Sequence, residues 1–82
     1  MTIQELESIV EAILFASGEV VSVKSIAFAT EQDEKTVKSV ISNMADRYTY
    51  ENRGIRIIQV GEGYQMCTNK DYFDYIKKLY QA

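Results

Sequence analysis

Apolar residues recur near the start of the chain at the spacing of one helix face. Ile3, Leu6, Val10, Ile13 and Leu14 share that face. Before them, Thr2-Ile3-Gln4-Glu5 has the form of a capping box, in which the Thr2 hydroxyl accepts from the Glu5 amide and the Glu5 carboxylate reaches back. Gly18 follows the stripe and is suited to the left-handed turn that ends a helix. The pattern predicts a first helix that ends at Gly18.

The pattern predicts two further helices before residue 52. Val20-Val21 is long enough only for a minimal strand, and Ser22 then caps a short helix over residues 23–29, with Ile26 and Phe28 as its bulk. Asp33 is the predicted N-cap of a third helix over residues 33–51. The apolar stripe of this helix consists of Val37, Val40, Ile41, Met44, Ala45 and Tyr48.

After residue 54 the period changes from helical to alternating. Residues 55–60 and 64–67 read as two strands joined by Gly61-Glu62-Gly63, which predicts a β-hairpin. A last helix, capped by Thr68 or Asn69, follows, and we expect its row Phe73, Ile76 and Tyr80 to close the core. The fold class is therefore mainly α with a small antiparallel β-hairpin, a winged helix. The predicted core consists of Leu6, Val10, Ile13, Ile26, Val37, Val40, Ile41, Met44, Ile57 and Ile76.

Composition argues against catalysis. The 82 residues contain no His and one Cys, Cys67, so the chain has no His-based catalytic site and no thiolate-rich zinc site. No glycine-rich phosphate loop is present. We therefore expect no enzyme activity, no metal and no cofactor, and we interpret Cys67 as a small buried hydrophobe. No apolar run is long enough to span a membrane, and the start lacks the features of a signal peptide, so we expect a cytoplasmic protein.

Charge bears on the possibility of DNA binding. Residues 1–34 carry seven acidic side chains and one basic one, whereas residues 35–82 carry five acidic and eight basic ones. In many winged helices the third helix reads the major groove and the wing touches phosphates. Asp33, Glu34 and the acidic wing tip Glu62 disfavour that role here. A DNA-binding regulator nevertheless stays the alternative function, with candidate contacts at Lys35, Lys38, Ser39, Ser42, Asn43, Arg53 and Arg56.

Several aromatic residues fall outside the core stripes. Phe15 lies roughly 150° from the centre of the first helix's stripe; it is either a second core contact, the interpretation we favour, or an exposed anchor. Tyr50, Tyr72 and Tyr75 are the other candidates, and tyrosine is enriched at protein interfaces. The four residues are candidate contacts to a second copy or to another protein.

The sequence resembles the N-terminal domain of segregation and condensation protein B, the accessory subunit of the bacterial SMC–kleisin condensin complex. Residues 6–19, LESIVEAILFASGE, are similar to the family's opening pattern, and residues 53–60 and 63–66 to its hairpin. Residues 33–37 and 72–79 are similar to its third helix and to its last segment. Val20-Val21 stands where the family has a proline, and Glu62 is charged where its hairpin tip is often neutral.

The resemblance implies a non-catalytic module that acts in chromosome condensation and segregation. It implies a homodimer through this domain, with the kleisin subunit, segregation and condensation protein A, and the SMC protein as partners in the cytoplasm at the nucleoid. The resemblance also implies two winged helices in tandem. We therefore expect residues 1–82 to be the first of two winged-helix domains and the chain to be a fragment. Direct nucleic-acid binding is expected to be weak or absent, and membrane binding absent.

Overall fold

The structure is a computed structural model that describes residues 1–81; Ala82, the last residue of the predicted domain, lies outside them. Three helices, a hairpin and a last helix follow one another along the chain. The elements are α1 (Ile3–Ser17), β1 (Val21–Ser22), α2 (Val23–Thr30), α3 (Glu34–Tyr50), β2 (Ile55–Val60), β3 (Gly63–Thr68), a 3₁₀ turn (Lys70–Tyr72) and α4 (Phe73–Gln81). The strands form one antiparallel sheet in the order β1-β3-β2. This confirms the predicted winged helix.

The first three helices begin where the sequence predicts them, whereas Asn69 caps the 3₁₀ turn and α4 begins only at Phe73. Thr2 Oγ1 accepts from the Glu5 amide at 3.0 Å, and Ser22 Oγ caps α2. Asp33 Oδ1 accepts from the Thr36 amide at 2.7 Å, and this hydrogen bonding holds the pKa of Asp33 below its ordinary value because it favours the carboxylate. Each cap satisfies an amide that has no partner within its helix.

The wing is a tight hairpin, and strand β1 packs directly against its Gly63. Strands β2 and β3 pair from Ile55↔Thr68 to Val60↔Gly63, and Gly61 begins the turn with a φ of 57°. Strand β1 adds to the other side of β3. A Cβ on Gly63 would lie 2.7 Å from the carbonyl oxygen of Val21, so only glycine allows β1 to approach this closely.

The core lies between the three helices and the sheet. Eight of the ten predicted core residues are buried. Ile13 is only partly buried and packs against the core from its edge, and Ile76 on α4 is likewise only partly buried. The buried apolar residues are Leu6, Val10, Leu14, Val23, Ile26, Val37, Val40, Ile41, Met44, Tyr48, Ile57 and Tyr64.

Helix α4 does not close the core, contrary to the prediction. Phe73 and Tyr80 are exposed, and none of the described α4 side chains is buried. The principal packing contact of α4 is with the 3₁₀ turn before it, and the domain is elongated, 44 × 23 × 21 Å.

The prediction that Phe28 packs inward from the second helix together with Ile26 is also wrong. Ile26 is buried, whereas Phe28 lies on the exposed face of α2.

Candidate interaction surface

The four predicted contact residues lie at the surface, at three different places. Phe15 on α1 is 79% exposed, so the core interpretation favoured from the sequence is wrong. Tyr50 ends α3 and is exposed, whereas Tyr72 and Tyr75 meet edge to face with ring centroids 6.4 Å apart. The sequence could not decide whether Phe15 is a core contact or an exposed anchor. The answer depends on whether another element covers that side of α1, which helical spacing does not show.

Helix α4 carries a broad apolar face. At about 100° per residue, its apolar side chains occupy one side of the helix, spanning about 160° of the circumference. They are Phe73, Tyr75, Ile76, Leu79 and Tyr80. The opposite side carries Asp74, Lys77 and Lys78. Tyr75 and Tyr80 are 73% and 82% exposed. We call α4 the arm, because it extends from the core with most of this face exposed, Ile76 being partly buried.

The direction of the arm is fixed by polar contacts at its root. Asn69 is 3% exposed; its amide donates to the Gly54 carbonyl at 2.8 Å, and its Oδ1 accepts from the Asp71 amide at 3.0 Å. Asn52, in the left-handed region with a φ of 51°, donates from Nδ2 to the Tyr72 hydroxyl at 2.8 Å. The bonds to Asn52 and Gly54 attach the 3₁₀ turn to the segment between α3 and β2. Sequence reasoning proposed Asn69 as a cap but missed Asn52, although asparagine directly after a helix is suited to a left-handed turn.

A continuous groove runs along α1, beside the end of α3 and the base of the wing. Three adjoining depressions form it, with volumes of about 140, 260 and 160 Å³. The first two share Glu11, Tyr48 and Arg53, and the last two share Phe15, Ile55 and Met66. Its α1 wall is formed by Glu7, Glu11 and Phe15, which are spaced by four residues and so lie along one helix face. The groove is polar near Glu7 and apolar from Phe15 to its end at Gly18 and Thr68.

The polar half of the groove is a set of paired side chains. Arg47 donates to Glu7 at 2.9 Å, which raises the pKa of the guanidinium. The Tyr48 hydroxyl donates to Glu11 at 2.5 Å, and Arg53 lies 4.3 Å from the centroid of the Tyr48 ring. Burial, followed by the hydrogen bond to Glu11, raises the pKa of Tyr48 to about 12. Because each charge here already has a partner, this half positions α3 against α1.

The seven residues considered for DNA contact form no basic surface. Lys35, Lys38, Ser39, Ser42 and Asn43 share the exposed face of α3, but Lys38 lies 3.9 Å from the wing-tip carboxylate of Glu62. Arg53 stacks on Tyr48 and lies 3.6 Å from Glu51, and Arg56 donates to Asn52 at 2.9 Å. Both arginines are therefore engaged within the domain.

A metal-binding group of side chains and a membrane-spanning helix are both absent from the described residues. Among residues 1–81 there is no grouping of His, Cys, Asp and Glu side chains that could hold a metal ion. Within the same range, no helix has the length and apolarity needed to cross a membrane. Cys67 is partly buried rather than fully buried as expected, and it lines the Thr68 end of the groove.

Comparison with known proteins gives consistent matches. The family model described as Segregation and condensation complex subunit ScpB matches residues 8–82. Segregation and condensation protein B of Acetivibrio thermocellus is 45% identical over 82 residues, and that of Ruminiclostridium cellulolyticum 42% over 81 residues. Each alignment covers 99% of this chain but only 41% and 43% of the relative, so the chain spans less than half of their length.

Two solved structures share the fold. The crystal structure of ScpB from Mycobacterium tuberculosis superposes with a TM-score of 0.94 at 31% identity, covering 99% of this chain and 51% of that one. A dimer of an ScpB N-terminal domain complexed with an ScpA peptide gives a TM-score of 0.88 at 35% identity, covering 94% of this chain and 96% of that one. The family model, the relatives and the fold agree, and this chain belongs to the ScpB family of segregation and condensation complex subunits.

Proposed function

We propose that this domain is a non-catalytic protein-interaction and dimerisation module of the bacterial SMC–kleisin condensin complex, acting in chromosome condensation and segregation. The observation that carries the proposal is the exposed apolar face of the arm, because an amphipathic helix of a folded domain ordinarily buries that face. A surface of this kind is typical of protein-binding sites.

The first partner in this proposal is a second copy of the chain. Phe15, Phe73, Tyr75 and Tyr80 are all at least 60% exposed. Aromatic side chains bury about 150–250 Å² each, so these four alone offer on the order of 600 Å² per copy. A stable interface needs roughly 800 Å² per partner. The solved relative that covers the same extent of chain is a dimer, which supports the same partner.

The second partner is the kleisin subunit, segregation and condensation protein A, and through it the SMC protein. Support comes from the ScpA peptide bound to the relative's N-terminal domain. We further propose that a second winged helix follows this domain in the full protein, since the relatives are more than twice as long. The complex would act in the cytoplasm, at the nucleoid.

Sedimentation equilibrium over a range of micromolar concentrations tests the dimer, and titration with a labelled ScpA peptide tests the kleisin contact. We expect a mass of two chains and saturable binding of the peptide. A mass of one chain at all concentrations would refute the dimerisation role, and no binding of the peptide by the dimer would refute the kleisin role for this domain alone.

The alternative, a DNA-binding regulator that reads DNA through residues 33–51, gains no support from the positions of Arg53 and Arg56. Fluorescence anisotropy with duplex DNA at two salt concentrations separates the two functions, because phosphate contacts weaken steeply with salt. We expect weak binding at low salt and none at high salt. Tight, salt-sensitive binding would instead favour the regulator.

A further inference from the structure

We propose that the dimer forms by exchange of arms, the apolar face of α4 of each copy lying in the groove along α1 of the other. This inference rests on the proposed homodimer and names its geometry. In each chain the groove and the arm are two separate apolar surfaces, and reciprocal docking covers both. Such a dimer has twofold symmetry, so the contact between arm and groove forms twice.

The two surfaces match in length and chemistry. At 1.5 Å per residue the groove from Glu7 to Gly18 is about 16 Å long, and the nine-residue arm is about 14 Å long. The apolar half of the groove presents Phe15, Ile55 and Met66. Helix α1 carries three glutamates and no basic residue, whereas the polar side of the arm carries two lysines and one aspartate. Two of these glutamates, Glu7 and Glu11, already bond to Arg47 and Tyr48, so the match rests on length and on the apolar half of the groove.

The arm does not occupy its own groove. No α4 residue lines any of its three sections within residues 1–81, and the bond from Asn52 to Tyr72 holds the turn from which the arm starts. The arm nevertheless begins close to the groove, because Thr68 lines the groove's end and α4 starts at Phe73. A twofold axis near this point would place each arm beside the partner's groove.

Exposed area favours exchange over either surface pairing with itself. Phe15 alone exposes on the order of 150 Å², and three arm aromatics on the order of 450 Å², at 150–250 Å² per side chain. A contact of groove with groove, or of arm with arm, would use only one of these surfaces. Exchange uses both, and with Ile55, Leu79 and Met66 added the area reaches about the 800 Å² of a standard interface.

Cys67, the single cysteine, is a built-in probe of this geometry. It lines the apolar end of the groove, so a cysteine on the apolar face of the partner's arm would form an intermolecular disulfide with it. We would oxidise Tyr75→Cys, Leu79→Cys and Tyr80→Cys, with Lys78→Cys on the polar side of the arm as the matched control. Each variant would also be made with Cys67→Ser, to detect disulfides between two arms.

We expect at least one of the three apolar-face variants to give a covalent dimer that needs Cys67, and Lys78→Cys to give little. A covalent dimer that persists with Cys67→Ser would mean that arm packs on arm and would overturn the proposal. So would the absence of a Cys67-dependent dimer from a chain that sedimentation shows to be dimeric. A monomeric wild type would instead refute the proposed homodimer itself.

Complementation between two variants provides a second test. Phe15→Asp damages the groove and Leu79→Asp damages the arm; both side chains are exposed, and circular dichroism would check that each variant folds. We expect each substitution to raise the dimer dissociation constant at least about 100-fold. Mixed together, the two variants form a heterodimer in which one groove and one arm are intact, detected by labelling one of them.

Other interfaces give different results. If arm packs on arm, Phe15→Asp stays dimeric. If groove packs on groove, Leu79→Asp stays dimeric. If the groove instead holds the kleisin segment, Phe15→Asp keeps the dimer and loses the ScpA peptide. Each of these results would overturn arm exchange, as would a mixture that shows no more association than either variant alone.

Discussion

Truncation of Ile41 tests whether the core is positioned as described. Ile41 lies in the middle of α3, is fully buried, and belongs to the same buried cluster as Val10 and Ile26. Ile41→Ala removes three carbon atoms without adding a polar group, so its effect measures packing alone. Ser42, the next residue, lies about 100° further round the helix and is exposed, and Ser42→Ala is the matched control.

The expected loss of stability follows from transfer and cavity terms. Three buried methyl or methylene groups at about 0.8 kcal/mol each give about 2.4 kcal/mol. A residual cavity of roughly 50 Å³ adds about 1 kcal/mol, so the free energy of unfolding should fall by about 3–4 kcal/mol. At roughly 0.05–0.15 kcal/mol per residue, a domain of this size has about 4–12 kcal/mol in total. Ile41→Ala therefore removes a large fraction of the margin.

Urea unfolding followed by circular dichroism measures this change, at one protein concentration for all chains because dimerisation adds to apparent stability. The midpoint should fall while the slope with urea stays the same, and the thermal midpoint should fall by about 15–25 °C. Ser42→Ala should stay close to wild type. An Ile41→Ala midpoint equal to that of the control would mean that the apolar stripe of α3 is wrongly placed.

Three further predictions concern Tyr48, Gly63 and Asn52. Absorbance titration should show one tyrosine that ionises near pH 12, and this step should be missing from Tyr48→Phe. Because the pKa of Tyr48 is raised in the folded state, the stability linked to it is present below pH 10 and is lost as the pH rises towards 12. A titration without this late step would contradict the prediction. Gly63→Ala should lower the free energy of unfolding by about 1–3 kcal/mol, because the added Cβ meets β1. The Cβ of Gly54→Ala meets nothing within 4 Å, so this control should lower the free energy of unfolding less when both variants are unfolded in urea. Asn52→Gly keeps the left-handed φ but loses the bond to the Tyr72 hydroxyl at the arm's root. It should raise the dimer dissociation constant measured by sedimentation while it lowers the thermal midpoint only slightly. Unchanged dimerisation would show that the root does not orient the arm.

The parts of the fold that depend on local patterns could be predicted from the sequence. Thr2 and Asp33 cap their helices because a side-chain oxygen and a free amide lie three residues apart, which the sequence displays directly. The change from helical to alternating spacing marks the wing, and two glycines mark its turn. Resemblance to a family added the complex in which such a domain works, which no local pattern could provide.

The direction of α4 could not be predicted, because an apolar stripe shows which face is to be covered but not which chain covers it. Phe73 and Tyr80 lie on such a stripe, and the sequence gives no reason to assign them to anything but the core of their own domain. The deciding contacts include the bond from Asn52 to the Tyr72 hydroxyl, which joins residues 20 positions apart in the chain. Phe15 was misassigned for the same reason, since its side of α1 faces the groove.

The polar root and the apolar face of the arm together link the folding of α4 to assembly. A helix of nine residues is marginal in water on its own, so α4 needs packing of its apolar face to stay helical. Among residues 1–81 the principal packing partner of α4 is the 3₁₀ turn, which is attached to Asn52 through the Tyr72 hydroxyl. In the arm exchange proposed above, the covering surface is the partner's groove, and ordering of the arm is coupled to association. That coupling makes dimerisation sensitive to residues such as Asn52, which need not touch the partner.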